Sequence, residues 1–162
     1  LRRTGLQFHK ASIMAPVARH GAQAPILLAG PQAMQLSGAL NARGFNARPV
    51  GTEPRQAVAI KILRSLVTKC IVALLHDMTE AGRRYGIEAQ LLDSAAEFFA
   101  AEPFPELART LLRQSEVHAE RLAQEMDEIA EALAQAGVPD RVPALAREVF
   151  QEIARRQAAM RS

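Results

Sequence analysis

The chain has 162 residues, of which 49% are hydrophobic, and this suits one domain, or part of a larger protein, with a sizeable core. Its longest unbroken apolar run, residues 70–75, is far shorter than the roughly 20 residues of a membrane-spanning helix, so no membrane contact is expected. The single cysteine, Cys70, excludes a disulfide framework and a cysteine-based metal site; within that run we expect it to be buried and inert, as suits a cytoplasmic protein.

The formal net charge of +3 does not indicate a nucleic-acid-binding protein. Basic residues are dispersed among acidic ones, as in the stretch AERLAQEMDEIAEAL, instead of forming a basic patch. Only 4% of the residues are aromatic and none is Trp, so a platform on which bases could stack is not expected. The four histidines have no metal-site spacing, and we expect no metal.

The first part of the chain has the alternation of short apolar runs and turn residues that is typical of an α/β layer. Short apolar runs at 8–14, 24–30 and 46–51 are bounded by Gly, Pro and Asn and predict three strands. Between the last two, residues 31–44 predict a helix that ends near Gly44. Strand, helix and strand at this spacing are typical of one layer of an α/β domain.

From about residue 53 the pattern is helical, and we expect a domain boundary there, between 1–52 and 53–162. The apolar positions predict a long helix from Pro54 to about Tyr85 and three further helices. The predicted ranges of those three are 88–100, 105–136 and a last helix that starts after Pro139 and Asp140. The expected fold class is therefore mainly α, with a short α/β part before the helices.

The long helix carries one polar stripe on a surface that is otherwise apolar. At 3.6 residues per turn, its polar residues fall within an arc of about 100°. These residues are Lys61, Ser65, Thr68, Lys69 and His76. A helix that is apolar on most of its surface is expected to be central and packed on several sides. The stripe then either lines a pocket or faces solvent, and the periodicity leaves both interpretations open.

Three segments resemble the β-hydroxyacid dehydrogenase superfamily, which includes 6-phosphogluconate and 3-hydroxyisobutyrate dehydrogenases. The first segment has a small residue, a lysine, Arg-Ser and a second lysine at the spacing of that superfamily's long helix: Ala57, Lys61, Arg64, Ser65, Lys69 and Cys70. The second, SEVHAERLAQEMDEIAEAL, matches at His118, Ala119, Arg121, Glu125 and Met126, and the third is KASIMAPV at 10–17. The resemblance is strongest to the phosphogluconate dehydrogenase-like branch with a distinct C-terminal domain.

The resemblance implies an NAD(P)-dependent oxidoreductase that acts on a small hydroxy acid or sugar acid. Residues 1–52 would be the last strands and helix of a Rossmann-like nucleotide-binding domain, and 53–162 a helical domain of the 6-phosphogluconate dehydrogenase C-terminal type, which binds substrate and forms a homodimer. Lys61 would take part in proton transfer and Ser65 would hydrogen-bond the substrate. The other implied substrate-binding residues are Arg64, Lys69, Met14, His118 and Arg121.

Several positions depart from the superfamily pattern. Ser65 stands where Asn is usual, Met14 where a substrate-binding serine is usual, Lys10 in place of Asp, and Cys70 in place of Gly. These departures prevent transfer of a particular substrate.

The sequence contains no Gly-x-Gly-x-x-Gly motif. Because the chain also opens with LRRTGLQFHK, without Met or a signal-peptide pattern, we interpret it as the C-terminal part of a longer protein whose upstream domain binds most of the NAD or NADP. The chain by itself is then expected to bind NAD(P) weakly and to be inactive. The alternative is a non-catalytic helical module for dimerisation or interaction.

Overall fold

The computed structural model describes residues 8–161, which divide into two units, the first ending at Cys70 and the second beginning at Ile71. The elements of the first unit are β1 (Lys10–Ile13), α1 (Val17–His20), a 3-10 turn (Gly21–Gln23), β2 (Pro25–Ala29), α2 (Ala33–Asn41) and β3 (Asn46–Gly51). Helix α3 (Arg55–Tyr85) begins in the first unit and ends in the second. The remaining helices are α4 (Glu88–Ala100), α5 (Phe104–Val117), α6 (Ala119–Gln135) and α7 (Arg141–Arg161). The predicted fold class is confirmed.

The first unit is a three-stranded sheet in the order β1-β2-β3. Strands β2 and β3 are parallel and α2 connects them, in agreement with the predicted strand, helix and strand of an α/β layer. Strand β1 pairs with β2 in the antiparallel direction. Leu28 of β2, Ala33 of α2 and Ala47 of β3 form its buried core, against which Ile26 and Leu40 pack. Leu28 is almost completely buried.

The end of α2 is tied to β3 by one side chain. The Asn41 side chain donates to the Ala47 carbonyl (2.9 Å) and accepts from the Ala47 N–H (2.7 Å). The helix stops at this asparagine, three residues before the predicted end, and Gly44 follows with φ of 84°. Glycine takes this left-handed conformation at little cost, so the chain can turn back into β3.

The predicted helix 105–136 is wrong, because the structure has two helices that meet at His118. His118 has φ of −118° and ψ of 23°, outside helical geometry, although its N–H still donates to the Gln114 carbonyl (2.9 Å). The change of direction lets α5 and α6 both pack against α7. The apolar positions on either side of His118 stay in one angular line, and for this reason the period carried no signal of the break.

The second unit has a small core between α3, α6 and the turn after α6. Ala81, Leu133, Ala136 and Val138 form its buried cluster. The Tyr85 hydroxyl donates to the Ala132 carbonyl (2.9 Å) and so joins the end of α3 to α6.

Gly82 lies in the last turns of α3, where α4 approaches closely. A Cβ at this position would lie 2.8 Å from Cδ1 of Leu91 and 3.1 Å from Cα of Glu88. Alanine is favoured over glycine inside helices by about 1 kcal/mol, but here the contact with backbone outweighs that preference. We expect Gly82→Ala to lower the free energy of unfolding by about 1–3 kcal/mol in urea denaturation. Gly38→Ala, in α2, meets nothing within 4 Å and should stabilise or be neutral; equal effects of the two changes would contradict the argument.

The middle part of helix α3 is exposed to solvent in the described structure, contrary to the expectation of a central helix packed on several sides. Of residues 59–76, all except Ser65 and Ile71 are exposed to solvent in the described part of the chain. Large apolar side chains are open, with Leu63 63% exposed, and Cys70, expected to be buried, is exposed as well. The apolar pattern predicted neighbouring elements around this part of the helix, and residues 8–161 do not supply them. No helix within residues 8–161 is long and apolar enough to cross a membrane.

Candidate functional site

Lys61 and Ser65 lie one turn apart on the first half of α3, so their side chains leave the same face of the helix. The preceding residue on that face, Ala57, is fully buried, Ser65 is half-buried and Lys61 is exposed. The Ser65 hydroxyl makes no hydrogen bond to another described residue, although the Ser65 carbonyl accepts from the Thr68 hydroxyl at 3.3 Å. An amine and a hydroxyl side by side, both open to a ligand, are the groups expected for holding an alcohol oxygen.

Arg64 and Met14 are brought together, fifty residues apart in the chain. The Arg64 Nη2 donates to the Met14 carbonyl oxygen at 2.7 Å, and the Met14 N–H donates to the Pro25 carbonyl at 2.8 Å. Met14 follows β1 directly, so this contact ties the beginning of α3 to the edge of the sheet. One N–H of the Arg64 guanidinium is therefore engaged. Arg64 is exposed, and the other N–H groups of its guanidinium are available to a carboxylate.

Lys69 lies two turns beyond Lys61 and is exposed. Neither lysine forms an ion pair with an acidic residue among residues 8–161. The only acidic residue of the sequence before residue 71 is Glu53. The face that carries Lys61 and Lys69 is therefore positively charged and suits an anionic ligand.

His118 and Arg121 line one cavity in the second unit, of about 280 Å³. His118 stands at the break between α5 and α6, and Arg121 follows in the first turn of α6. Arg121 pairs with Glu125 and contributes to the cavity wall with Arg161 from α7. The cavity is mainly polar and carries two arginines, a histidine and one acid, Glu120.

The turn after β2 is the place where a strand–helix unit would hold the pyrophosphate of a dinucleotide. Here the backbone N–H of Gln32 donates to Nε2 of His9 at 3.0 Å, and Pro31 has no N–H to offer. A Cβ on Gly30 would meet the same imidazole at 2.6 Å. The His9 ring thus occupies the approach to the first turn of α2. The described residues contain no group of three or more His, Cys, Asp or Glu that could hold a metal ion.

An apolar groove in the second unit was not identified from the sequence. It has a volume of about 450 Å³ and lies between the C-terminal half of α3, α4, α6 and α7. Most of its lining is aliphatic, with Asp77 as the one charged residue: Leu74, Asp77, Met78, Ala81, Gly82, Tyr85, Ile87, Leu91, Met126, Ile129, Ala132, Leu133, Val142, Pro143 and Ala146. The apolar stripe of each helix could be predicted from the sequence, but whether these stripes enclose an open groove depends on how the helices pack.

Residues 83–158 match the family described as a domain of unknown function, DUF1932. A conserved hypothetical protein from Sinorhizobium meliloti 1021 is 32% identical, with a TM-score of 0.50, over 89% of this chain and 48% of its own. The conserved protein MTH1747, described as structurally similar to 3-hydroxyacid dehydrogenases, is 36% identical with a TM-score of 0.54, over 91% of this chain and 56% of its own. None of the curated proteins matches significantly.

An imine reductase from Aspergillus terreus, solved with NADPH4 and dibenz[c,e]azepine, has a TM-score of 0.76 over 96% of this chain and 57% of its own. Its identity of 16% limits that likeness to the fold. The chain spans about half the length of the solved structures it matches.

Proposed function

We propose a function on the premise that the chain belongs to the superfamily of 3-hydroxyacid dehydrogenase-like proteins, with a DUF1932 domain at 83–158. The proposed activity of the full-length protein is NAD(P)-dependent oxidation or reduction of a small hydroxy acid or sugar acid. The observation that carries it is the pair Lys61 and Ser65, an open amine and hydroxyl on one face of α3 in a basic setting. MTH1747, with its described similarity to 3-hydroxyacid dehydrogenases, supports the reaction type.

In the oxidative direction, the substrate hydroxyl loses its proton and its carbon loses a hydride. In its neutral amine form, the Lys61 Nζ accepts the hydroxyl proton and becomes an ammonium; in reduction the ammonium returns that proton to the oxygen. The Ser65 hydroxyl, one turn away, hydrogen-bonds the same oxygen or its neighbour and orients the substrate. The hydride chemistry belongs to the nicotinamide cofactor, for which the described residues form no cradle.

Carboxylate recognition is assigned to the cations near this pair. The free part of the Arg64 guanidinium offers a planar pair of donors, and its contact with the Met14 carbonyl limits how far the side chain swings. Lys69 adds a second positive charge on the same face as Lys61. Within the second unit, His118 and Arg121 line a cavity of their own and offer donors for an anionic group there.

The cofactor, NAD or NADP, is assigned mainly to a domain outside this chain. We expect calorimetry with NADPH to detect no low-micromolar binding to the 162-residue chain and clear binding to the full-length protein, because the turn after β2 lacks a glycine-rich cradle and holds His9 instead. Low-micromolar binding to the chain alone would contradict the assignment. Absence of binding to both proteins would contradict the oxidoreductase proposal itself.

A second candidate function is a non-catalytic helical module for dimerisation or interaction. The exposed middle part of α3 favours this function. Eight large apolar side chains there are exposed to solvent, and an exposed apolar surface of this kind is typical of an interaction site. The two functions are compatible in one protein. They are distinguished by turnover: a full-length protein that self-associates but oxidises no hydroxy acid with either cofactor is the module alone.

A further inference from the structure

Helix α3 leaves the sheet at a tight corner, residues 51–56. Strand β3 ends at Gly51 and α3 begins at Arg55, so three residues connect the two elements. Gly51 has φ of 151°, in the range that favours glycine, and a Cβ there would lie 1.9 Å from Oε1 of Gln56. The Gln56 amide therefore lies directly against the backbone of Gly51. The Gly51 carbonyl also accepts from the Gly30 N–H at 3.0 Å, which joins the corner to the end of β2.

The side chain of Gln56 closes this corner with hydrogen bonds. Its Oε1 accepts from the Glu53 N–H at 3.0 Å, while the Gln56 N–H donates to the Glu53 carbonyl at 2.9 Å. One residue thus binds both polar backbone groups of Glu53, with the reciprocity that a capping box gives to a helix start. Because residues 52–54 belong to no helix or strand, these two bonds fix the path of the chain from β3 into α3.

The first turns of α3 are attached to the sheet at two points. The first is the corner with Gln56, and the second is the contact of Arg64 with the Met14 carbonyl, at 2.7 Å. Lys61 lies between the two points, Ser65 directly follows the second, and all of these residues belong to the first unit. Since the middle of α3 is exposed, the position of the pair relative to the sheet depends strongly on these two attachments.

We propose that Gln56 is a positioning residue for Lys61 and Ser65, a role that rests on the proposed oxidoreductase function. By closing the corner, the Gln56 amide fixes the direction in which α3 carries the pair. Without it, α3 tilts about the remaining attachment at Arg64, which is about 4.5 Å along the helix from Lys61. A tilt of about 10° then moves the Lys61 backbone by about 0.8 Å, and a misplacement of about 1 Å can cost a factor of about 10² in rate.

The test is turnover of the full-length Gln56→Ala protein, measured as NAD(P)H formation with a panel of small hydroxy acids and sugar acids. We expect kcat to fall about 10- to 100-fold and KM to stay within about threefold, because the substrate-binding groups remain and only their alignment is lost. Proton transfer then limits the rate more strongly, so the solvent deuterium isotope effect on kcat should rise. Gln56→Glu retains an acceptor oxygen for the Glu53 N–H and should keep kcat within about threefold of the parent.

Gly51→Ala gives a second route to the same loss. The added Cβ overlaps the Gln56 amide, whose flexible end must move away from the Glu53 N–H. Once residue 56 is alanine, there is no amide left to displace. We therefore expect kcat of the double variant to equal that of Gly51→Ala within about threefold. Losses that multiply in the double variant would show that the two residues act separately, against the proposed role.

Asn41→Ala is the matched control for a purely structural effect. The Asn41 side chain also closes a connection in the first unit, with two hydrogen bonds to Ala47, but it joins α2 to β3 and does not involve α3. It should destabilise the first unit and leave kcat and the isotope effect unchanged. Equal losses of kcat in Asn41→Ala and Gln56→Ala would assign the effect to general stability and overturn the positioning role.

The structural premise is tested without activity, by hydrogen exchange of the Glu53 amide in the 162-residue chain. Exchange should accelerate in Gln56→Ala and stay unchanged in Asn41→Ala; a Glu53 amide that is indifferent to Gln56→Ala would overturn the role of the side chain at the corner. A full-length parent that oxidises no hydroxy acid with NAD or NADP contradicts the proposed function, and the positioning role with it. An active parent whose kcat survives Gln56→Ala contradicts the positioning role alone.

Discussion

Lys61→Ala in the full-length protein is expected to lower kcat by about 10²–10⁴-fold, the contribution typical of a positioned proton acceptor. The side chain is exposed and has no ion pair among the described residues, so its loss should leave the fold unchanged. The measurement is NAD(P)H formation with a panel of small hydroxy acids and sugar acids, together with circular dichroism of the variant.

Lys10→Ala is the control for this experiment, because Lys10 is also exposed but lies in β1. It removes the same charge from the same unit and should keep kcat within a few fold of the parent. Turnover at the parental rate in Lys61→Ala would show that the amine takes no part in proton transfer. Equal losses in both variants would assign the effect to general charge and would remove the special role of Lys61.

Leu28→Ala is expected to destabilise the first unit by about 2–4 kcal/mol, because a fully enclosed leucine leaves a cavity that its neighbours fill only in part. Leu28 is 2% exposed and packs with Ala33 and Ala47, both too small to move into the space. The second unit contributes much of the helical signal, so the sensitive measurement is hydrogen exchange of the β2 and β3 amides. Their exchange should accelerate about 30- to 1,000-fold.

Met34→Ala is the control for the core substitution, since Met34 lies in the neighbouring helix α2 but is 76% exposed. Its effect should stay within about 0.5 kcal/mol, as is usual for surface positions. If β2 exchange in Leu28→Ala stays within a few fold of the parent, Leu28 does not hold the sheet together, and the small first unit depends on other contacts.

The predictions that rested on short-range signals agree with the structure. Glycine and proline at the ends of short apolar runs located all three strands and α2, because turn residues act on their immediate neighbours. The long helix was located to within a residue or two, from an apolar period that continues to Tyr85. The break at His118 was missed, because one residue left helical geometry without any change in the angular order of the leucines around it.

Some residues of the candidate site could also be predicted from short-range sequence patterns. A spacing of four residues on a helix brings Lys61 and Ser65 to one face whatever surrounds them. The contact of Arg64 with the Met14 carbonyl joins positions fifty residues apart, and no local pattern indicates which carbonyl an arginine reaches. The role of Lys61 in proton transfer remains a prediction that the Lys61→Ala variant tests, and the binding roles of Ser65 and Arg64 remain predictions as well.

By itself the sequence determined the strands and most of the helices, the mainly helical class, the resemblance to a known superfamily and the apolar character of α3. Only the tertiary structure showed which apolar side chains of α3 remain exposed to solvent. Periodicity indicates that residues 59–76 are mainly apolar, but burial depends on the atoms that surround them, and the described residues provide few such atoms. The same holds for the apolar groove, which exists because four helices stop short of filling the space between them.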